Sequence, residues 1–161
     1  EADVAADFMA ETDLDLIMLA GRYTLIEQPA LADCLPMAEK KGVGIVNVGG
    51  FNSGVLVKGA SAATYDYGTV PETIRRKVER IEAICDVYRV NLPAAAAQFS
   101  LAHPAVVSVV FGISRPDNVI KTLGYLDEKI PDAFWQALVD GDILQVGVPL
   151  PQGAHNGIGL R

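Results

Sequence analysis

Three short apolar runs, Leu14 to Ala20, Val43 to Val48 and Val106 to Phe111, limit what this chain can fold into. Each is close to continuously apolar, with little of the alternation of a half-solvated strand, which is the pattern of a strand covered on both faces. Helix-forming sequence separates them. Buried-type strands alternating with helices imply a parallel sheet with right-handed crossovers. A parallel sheet of three leaves two edges with unpaired backbone donors and acceptors, an arrangement prone to aggregation. The expectation is therefore a part of a larger α/β domain. That the chain opens on Glu1 and not on Met adds the expectation of an N-terminal portion preceding it.

The intervening segments read as helices. Residues 3–11 carry Val4, Phe8 and Met9 on one side and acidic residues on the other. A helix over 29–41 has Pro29 in its first turn, Leu31, Leu35 and Ala38 at helical spacing, and a basic end, Lys40-Lys41, stopped by Gly42. From Pro71, the residues Ile74, Val78, Ile81, Cys85 and Tyr88 recur at three- and four-residue steps. Pro93 opens a helix containing Ala94 to Ala97, Val119, Ile120 and Leu123 mark another after Pro116, and a last one spans about 131–140. Residues 49–70 show no sustained period and read as one long loop, which inside a compact domain is usually functional. From Gly147 to Arg161 the Gly- and Pro-rich sequence predicts a loose tail.

A formal charge of −7 excludes the basic footprint of a nucleic-acid binder. Arg75, Arg76, Lys77 and Arg80 do cluster, but they alternate with Glu72, Glu79 and Glu82, as on a solvated helix face. No apolar run reaches the roughly 18 residues of a membrane span. Cys34 and Cys85 sit in apolar, helix-like surroundings and read as buried free thiols, which suits a reducing, cytoplasmic setting, with a disulfide between them as the alternative.

Three places could carry chemistry. The first is Gly49-Gly50-Phe51-Asn52-Ser53-Gly54, whose glycines would let backbone amides approach a phosphate and whose Ser53 could bind its oxygens. An ordinary glycine turn fits equally well. The second, Gly112-Ile113-Ser114-Arg115-Pro116-Asp117-Asn118, joins a strand's C-terminal end to a helix N-terminus, where amides and the helix dipole favour an anion. Here Ser114 could instead cap the helix. The third is Arg22-Tyr23, just past the first strand, able either to meet a ligand or to pack on a helix. His103 precedes Pro104 at the entry to a strand, and His155 lies in the tail. Two His and two Cys without clustering give no metal-binding pattern, and no nucleophile elbow is present.

These stretches, in this order and spacing, resemble the aldo/keto reductase family over nearly the whole chain. Arg22-Tyr23-Thr24-Leu25-Ile26-Glu27-Gln28, continuing to Leu35-Pro36 and Gly42-Val43-Gly44-Ile45, is similar to the family's sixth strand, sixth helix and seventh strand. Leu101 to Val106 followed by Gly112 to Asn118 is similar to its seventh helix, eighth strand and cofactor turn. The Ala-Gly-Arg-Tyr-Thr-Leu and Phe-Asn-Ser-Gly forms are nearest the branch that includes L-fucose dehydrogenase, D-threo-aldose 1-dehydrogenase and pyridoxal 4-dehydrogenase. The fold implied is the C-terminal portion of a (β/α)8 TIM barrel, about strands 6–8 with their helices. Residues 1–161 would form one segment of a single barrel domain that normally takes about 250 residues.

The resemblance implies NAD(P)-dependent hydride transfer to or from an aldose or small aldehyde. It also implies that the acid/base tetrad of Asp, Tyr, Lys and His belongs to the first four strands, so that no catalytic residue is expected in this chain. Gly49, Phe51 and Ser53 match the loop over the pyrophosphate. Gly112, Ile113 and Ser114 match the turn at the adenosine phosphate, and Asn118, Lys121 and Thr122 match the adenine end. Arg22 and Tyr23 are the substrate-side candidates. Two positions depart from the pattern: Val48 replaces the nicotinamide-stacking Tyr and Ala20 the carboxamide-binding Gln. Asn118, where many NADPH-dependent members carry Arg, tilts the expectation to NAD, while the nearby Arg115 keeps NADP open. A non-catalytic half-barrel that pairs with a partner is the alternative.

Overall fold

A computed structural model describes residues 1–62, 64–66 and 68–151. Its elements in chain order are α1 (Ala2–Glu11), β1 (Leu16–Ala20), α2 (Cys34–Lys41), β2 (Gly44–Val48), the single turn α3 (Val55–Lys58), β3 (Thr64–Tyr65), β4 (Gly68–Thr69), α4 (Glu72–Tyr88), α5 (Leu92–Phe99), β5 (Val106–Val110), α6 (Pro116–Asp127) and α7 (Asp132–Asp140). The three apolar runs form one parallel sheet in the order β1-β2-β5. Met18 stands beside Val46 and Ala20 beside Val48, while Val48 faces Val110 across the other ladder. The fold is α/β with parallel strands, as the sequence predicts.

Helix boundaries follow local chemistry. Gly42 takes the left-handed conformation (φ 71°) that ends α2, and its N–H bonds back to the carbonyls of Ala38 and Glu39. Lys41, in the last turn of α2, donates across to the carbonyls of Met9 and Ala10 at the C-terminal end of α1, where the helix dipole is negative. Along α4, Val78, Ile81 and Cys85 are buried, and Ile74 and Tyr88 pack against the same core. In α5, Ala94 to Ala97 are all fully buried, and their small side chains let this helix lie close to its neighbours. Phe99, Phe134 and Trp135 form the aromatic centre of the core.

Some expectations are corrected. Residues 29–41 form two pieces, a 3-10 turn at Pro29–Leu31 and then α2, because Asp33 breaks out of helical geometry (φ −135°). The stretch 49–70 is not one featureless loop. It holds short helical turns at Asn52–Gly54, α3 and Gly59–Ser61, and then the β3–β4 hairpin. The carboxylate of Glu82 on α4 accepts from the Ala60 backbone N–H (3.1 Å), which ties this insertion to the helix layer.

Strands expected to be covered on both faces are covered on one. Leu19, Ile45 and Val106 are buried beneath the helices. On the other face Leu16, Met18, Val107 and Val110 are 42% exposed or more. Leu16 and Val107 flank Gly44 on that bare face, since a Cβ at 44 would meet both. Apolar side chains also stand free on the outermost helices, Val4 and Phe8 on α1 and Val119, Ile120 and Leu123 on α6. Of the segment 147–161, Val148 is buried and Leu150 packs against the core. The remainder, from residue 152 and including His155, lies outside the described residues.

Candidate functional site

The parallel sheet brings the C-terminal ends of its strands to one side, and the strand ladders run on into the loops there. The Gly21 N–H donates to the Val48 carbonyl (2.8 Å), and the Gly49 N–H to the Val110 carbonyl (3.3 Å). Beyond these ends, between the loop after β2 and the helix after β5, lies a cleft of about 760 Å³. That is within the range of small-molecule and cofactor sites.

Two elements build its walls. The loop Gly49–Gly54 forms one. Gly50 sits so tightly that a Cβ there would lie 2.5 Å from the Ser100 hydroxyl oxygen. Asn52, Ser53 and Gly54 follow in three consecutive left-handed conformations (φ 46°, 56° and 88°), which turn the chain sharply back toward α3. Strain of this kind in non-glycine residues is held where the surroundings over-determine it, and it clusters at ligand clamps. Asn52 is 7% exposed, and its side-chain oxygen is buried without a hydrogen-bond partner.

The other wall is the turn Phe111–Ser114 with α6 behind it. Arg115 is the N-cap residue of α6 in an extended conformation (φ −136°), and no side chain caps the helix. The capping role open to Ser114 is thus not used; Pro116 has no N–H and the Asn118 N–H bonds to the Arg115 carbonyl (3.0 Å), which leaves the Asp117 N–H of the first turn for another acceptor. Asn118, Lys121, Thr122 and Tyr125 recur at three- and four-residue steps and so share one face of α6 toward the cleft. Phe51 and Phe111 stack at 4.4 Å between centroids, and Tyr125 meets Phe51 edge-on at 6.5 Å. The Lys121 ammonium lies 6.0 Å from the centre of the Tyr125 ring.

All the positions singled out for the cofactor side, namely Gly49, Phe51, Ser53, Gly112, Ile113, Ser114, Asn118, Lys121 and Thr122, line this one cleft. Val48 lines it too. Lys58, Thr64, Phe111 and Tyr125 join them without having been singled out. Tyr125 was within reach of the sequence, since it extends the 118–121 spacing by one turn, whereas Lys58 and Thr64 arrive only through the fold of the insertion after β2. Among the described residues that line the cleft there are two lysines and no carboxylate, in a chain of net charge −7. The arrangement suits an anionic ligand with a planar, apolar part.

Arg22 and Tyr23 stand apart from the cleft lining. Arg22 forms a two-pronged ion pair with Glu1, at 2.9 and 3.0 Å, which raises the guanidinium pKa further. Tyr23 is fully buried, its ring tilted against Phe99 (5.0 Å) and edge-on to His103 (5.8 Å). Burial pushes its phenol pKa well up, and its hydroxyl has no partner. His103 packs at the opposite, N-terminal end of β5, where its Nδ1 accepts the Ala105 N–H (3.1 Å), and burial lowers its pKa. Both cysteines are free and buried. No cluster of three or more potential metal ligands occurs among the described residues, and none of their helices is long and apolar enough to cross a membrane.

Comparison with known proteins gives the family. The model of the aldo/keto reductase family matches residues 1–142. Pyridoxal 4-dehydrogenase of Microbacterium luteolum is 39% identical over 139 residues, covering 86% of this chain and 41% of that protein. D-threo-aldose 1-dehydrogenase of Pseudomonas sp is 41% identical over 145 residues, covering 89% and 44% respectively. The chain thus spans about two fifths of the length of these relatives. With a family match over most of its residues and such identities over nearly nine tenths of its length, the chain belongs to the aldo/keto reductase family.

Proposed function

We propose that this chain is the cofactor-binding, C-terminal portion of a (β/α)8 barrel, contributing strands 6–8 to an NAD(P)-dependent oxidoreductase that acts on an aldose or small aldehyde. The observation that carries the reading is the cationic, carboxylate-free cleft at the C-terminal strand ends, the end where barrel enzymes bind their ligands. Its residues fit a dinucleotide. Ser114 and the Asp117 N–H at the N-terminus of α6, and the Ser53 hydroxyl of the loop Gly49–Gly54, offer donors to phosphate oxygens. Lys58 and Lys121 supply positive charge, and Phe51 and Phe111 an aromatic wall. The buried oxygen of Asn52, which has no partner, is an acceptor that a ligand or a water can satisfy.

The bound dinucleotide would supply the hydride chemistry, and the protein the orientation and electrostatics. In this reading Ser53 and Ser114 hold the phosphates, and Asn118 and Thr122 face the adenosine end. With Asn118 in place of a fork-shaped cation, NAD is the favoured cofactor. The proton-transferring groups belong to strands outside this chain. The bare sheet face of Leu16, Met18, Val107 and Val110 and the free apolar sides of α1 and α6 are the surfaces those further elements would cover.

The test is made on the full-length protein and on residues 1–161 alone, assayed with NAD and a panel of aldoses and aldehydes, L-fucose, D-threo-aldoses and pyridoxal among them. Turnover by the full-length protein and none by the segment is the expected outcome. Turnover by the segment alone at ordinary enzyme rates would show that the chemistry lies within this chain.

A further inference from the structure

The β3–β4 hairpin connects the cleft to a part of the chain that does not touch it. Tyr65, in β3, donates its hydroxyl to the carboxylate of Glu27. The next residue, Asp66, donates its backbone N–H to the hydroxyl oxygen of Ser53 at 3.2 Å. Ser53 lines the cleft and is held in a left-handed conformation (φ 56°).

Glu27 is well placed to serve as a fixed anchor. The turn that carries it is closed twice, by the Thr24 N–H on the Glu27 carbonyl (2.7 Å) and by the Glu27 N–H on the Thr24 hydroxyl (3.1 Å). Lys77 of α4 braces the same turn by donating to the Ile26 carbonyl. Arg22 and Lys77 lie near enough to feel the Glu27 charge, but the ion pairs among the described residues are Arg22–Glu1 and Arg76–Glu72. The hydrogen bond that the Glu27 carboxylate accepts among the described residues is the one from Tyr65, and burial together with that bond pushes the phenol pKa well up.

We infer that Glu27 is a positioning residue for the cleft: through Tyr65 it fixes the hairpin, Asp66 then fixes Ser53, and the Ser53 hydroxyl is left to donate to a phosphate oxygen of the ligand. The hydrogen-bond chemistry sets the direction. A serine hydroxyl has one proton and two lone pairs. With a lone pair of Ser53 taken by the Asp66 N–H, its proton is free to point at an acceptor in the cleft. Holding the loop in this state before the ligand arrives removes the entropy of ordering it on binding. The inference rests on the cofactor reading above.

The experiment is a set of NADH titrations on the full-length protein, followed by the emission of the bound nicotinamide, with thermal melting as a control on folding. Tyr65→Phe, Glu27→Ala and Ser53→Ala should each raise the NADH Kd by about tenfold, the loss expected for one charge-assisted hydrogen bond or its relay. In the Ser53→Ala background, Tyr65→Phe should add less than about twofold, because residues acting as one unit are not additive. Glu27→Gln, whose amide oxygen still accepts from the phenol, should recover most of the affinity lost in Glu27→Ala. Additive losses in the double variant, or wild-type affinity in the single ones, would overturn the relay while leaving the cofactor site in place. A wild-type protein that binds no NADH would instead overturn the cofactor reading, and the relay with it.

Discussion

Gly50 and Ser100 are in such close contact that a single added carbon at residue 50 would lie 2.5 Å from the Ser100 hydroxyl oxygen. Ser100 cannot easily give way, because its hydroxyl donates to the Ala96 carbonyl at 2.8 Å inside the core. Gly50→Ala should therefore destabilise the protein by about 1–3 kcal/mol, the usual effect of overpacking, and shift the cleft loop. Adding Ser100→Ala should restore part of the loss in a thermal melt. Wild-type stability for Gly50→Ala alone would contradict the packing described.

Asn47 is the buried polar residue at the centre of the sheet. Its amide nitrogen donates to the carbonyls of Tyr23 (2.8 Å) and Ser100 (3.1 Å), joining the loop after β1 to the end of α5. Asn47→Leu leaves two carbonyls without their donor and should lower stability by about 2–3 kcal/mol. Asn47→Asp should be worse at neutral pH, since a buried carboxylate would face two carbonyl oxygens, and milder in acid, where the protonated acid can donate. Denaturant unfolding at two pH values checks both points.

His103 gives a pH dependence whose sign is fixed by its burial. Its folded-state pKa lies below the ordinary value of 6.5 because burial disfavours the charged ring. The unfolded chain therefore takes up the proton first as pH falls, and stability is lost below pH 6.5 until the folded-state value is reached. Above 6.5 the ring contributes no slope. In melts from pH 7.5 to pH 5, His103→Gln should flatten the acid side of the profile, and an unchanged slope would show that His103 is not the group responsible.

Cys34 and Cys85 should be inert in the native state. Burial raises both thiols, and that of Cys85 is pushed up to about 12 with the help of Asp86 and Glu82. Reactivity follows the thiolate. Neither should react with a thiol reagent at pH 8 until denaturant is added, when both should react. Fast native labelling of either would contradict the packing around it.

Much of this was legible in the sequence, for reasons that differ by element. The strands announced themselves as continuous apolar runs, and α4 by a period sustained over Ile74, Val78, Ile81 and Cys85. The cleft's α6 face came from the family resemblance alone, since the helical period of that segment marks Val119, Ile120 and Leu123 and not Asn118, Lys121 and Thr122. The insertion after β2 could not be read, since Tyr65–Glu27 and Asp66–Ser53 are long-range bonds with no periodic trace. Tyr23 shows the same limit from the other side. Its place after a strand suggested the ligand side, but Phe99 and His103, distant in sequence, enclose it. The bare sheet face was not legible, because near-continuous apolar runs read as covered on both faces and the strand count speaks only to open edges.

The central claim is that the cleft between Gly49–Gly54 and α6 holds a nicotinamide dinucleotide, and equilibrium titration tests it most directly. NADH and then NADPH would be titrated into the full-length protein and into its Asn118→Glu variant, following nicotinamide emission. Saturable binding, tighter for NADH, is expected, with a loss of at least about tenfold in the variant, whose carboxylate would repel the ligand's phosphates. Absence of saturable binding, or equal affinity in wild type and variant, would contradict it.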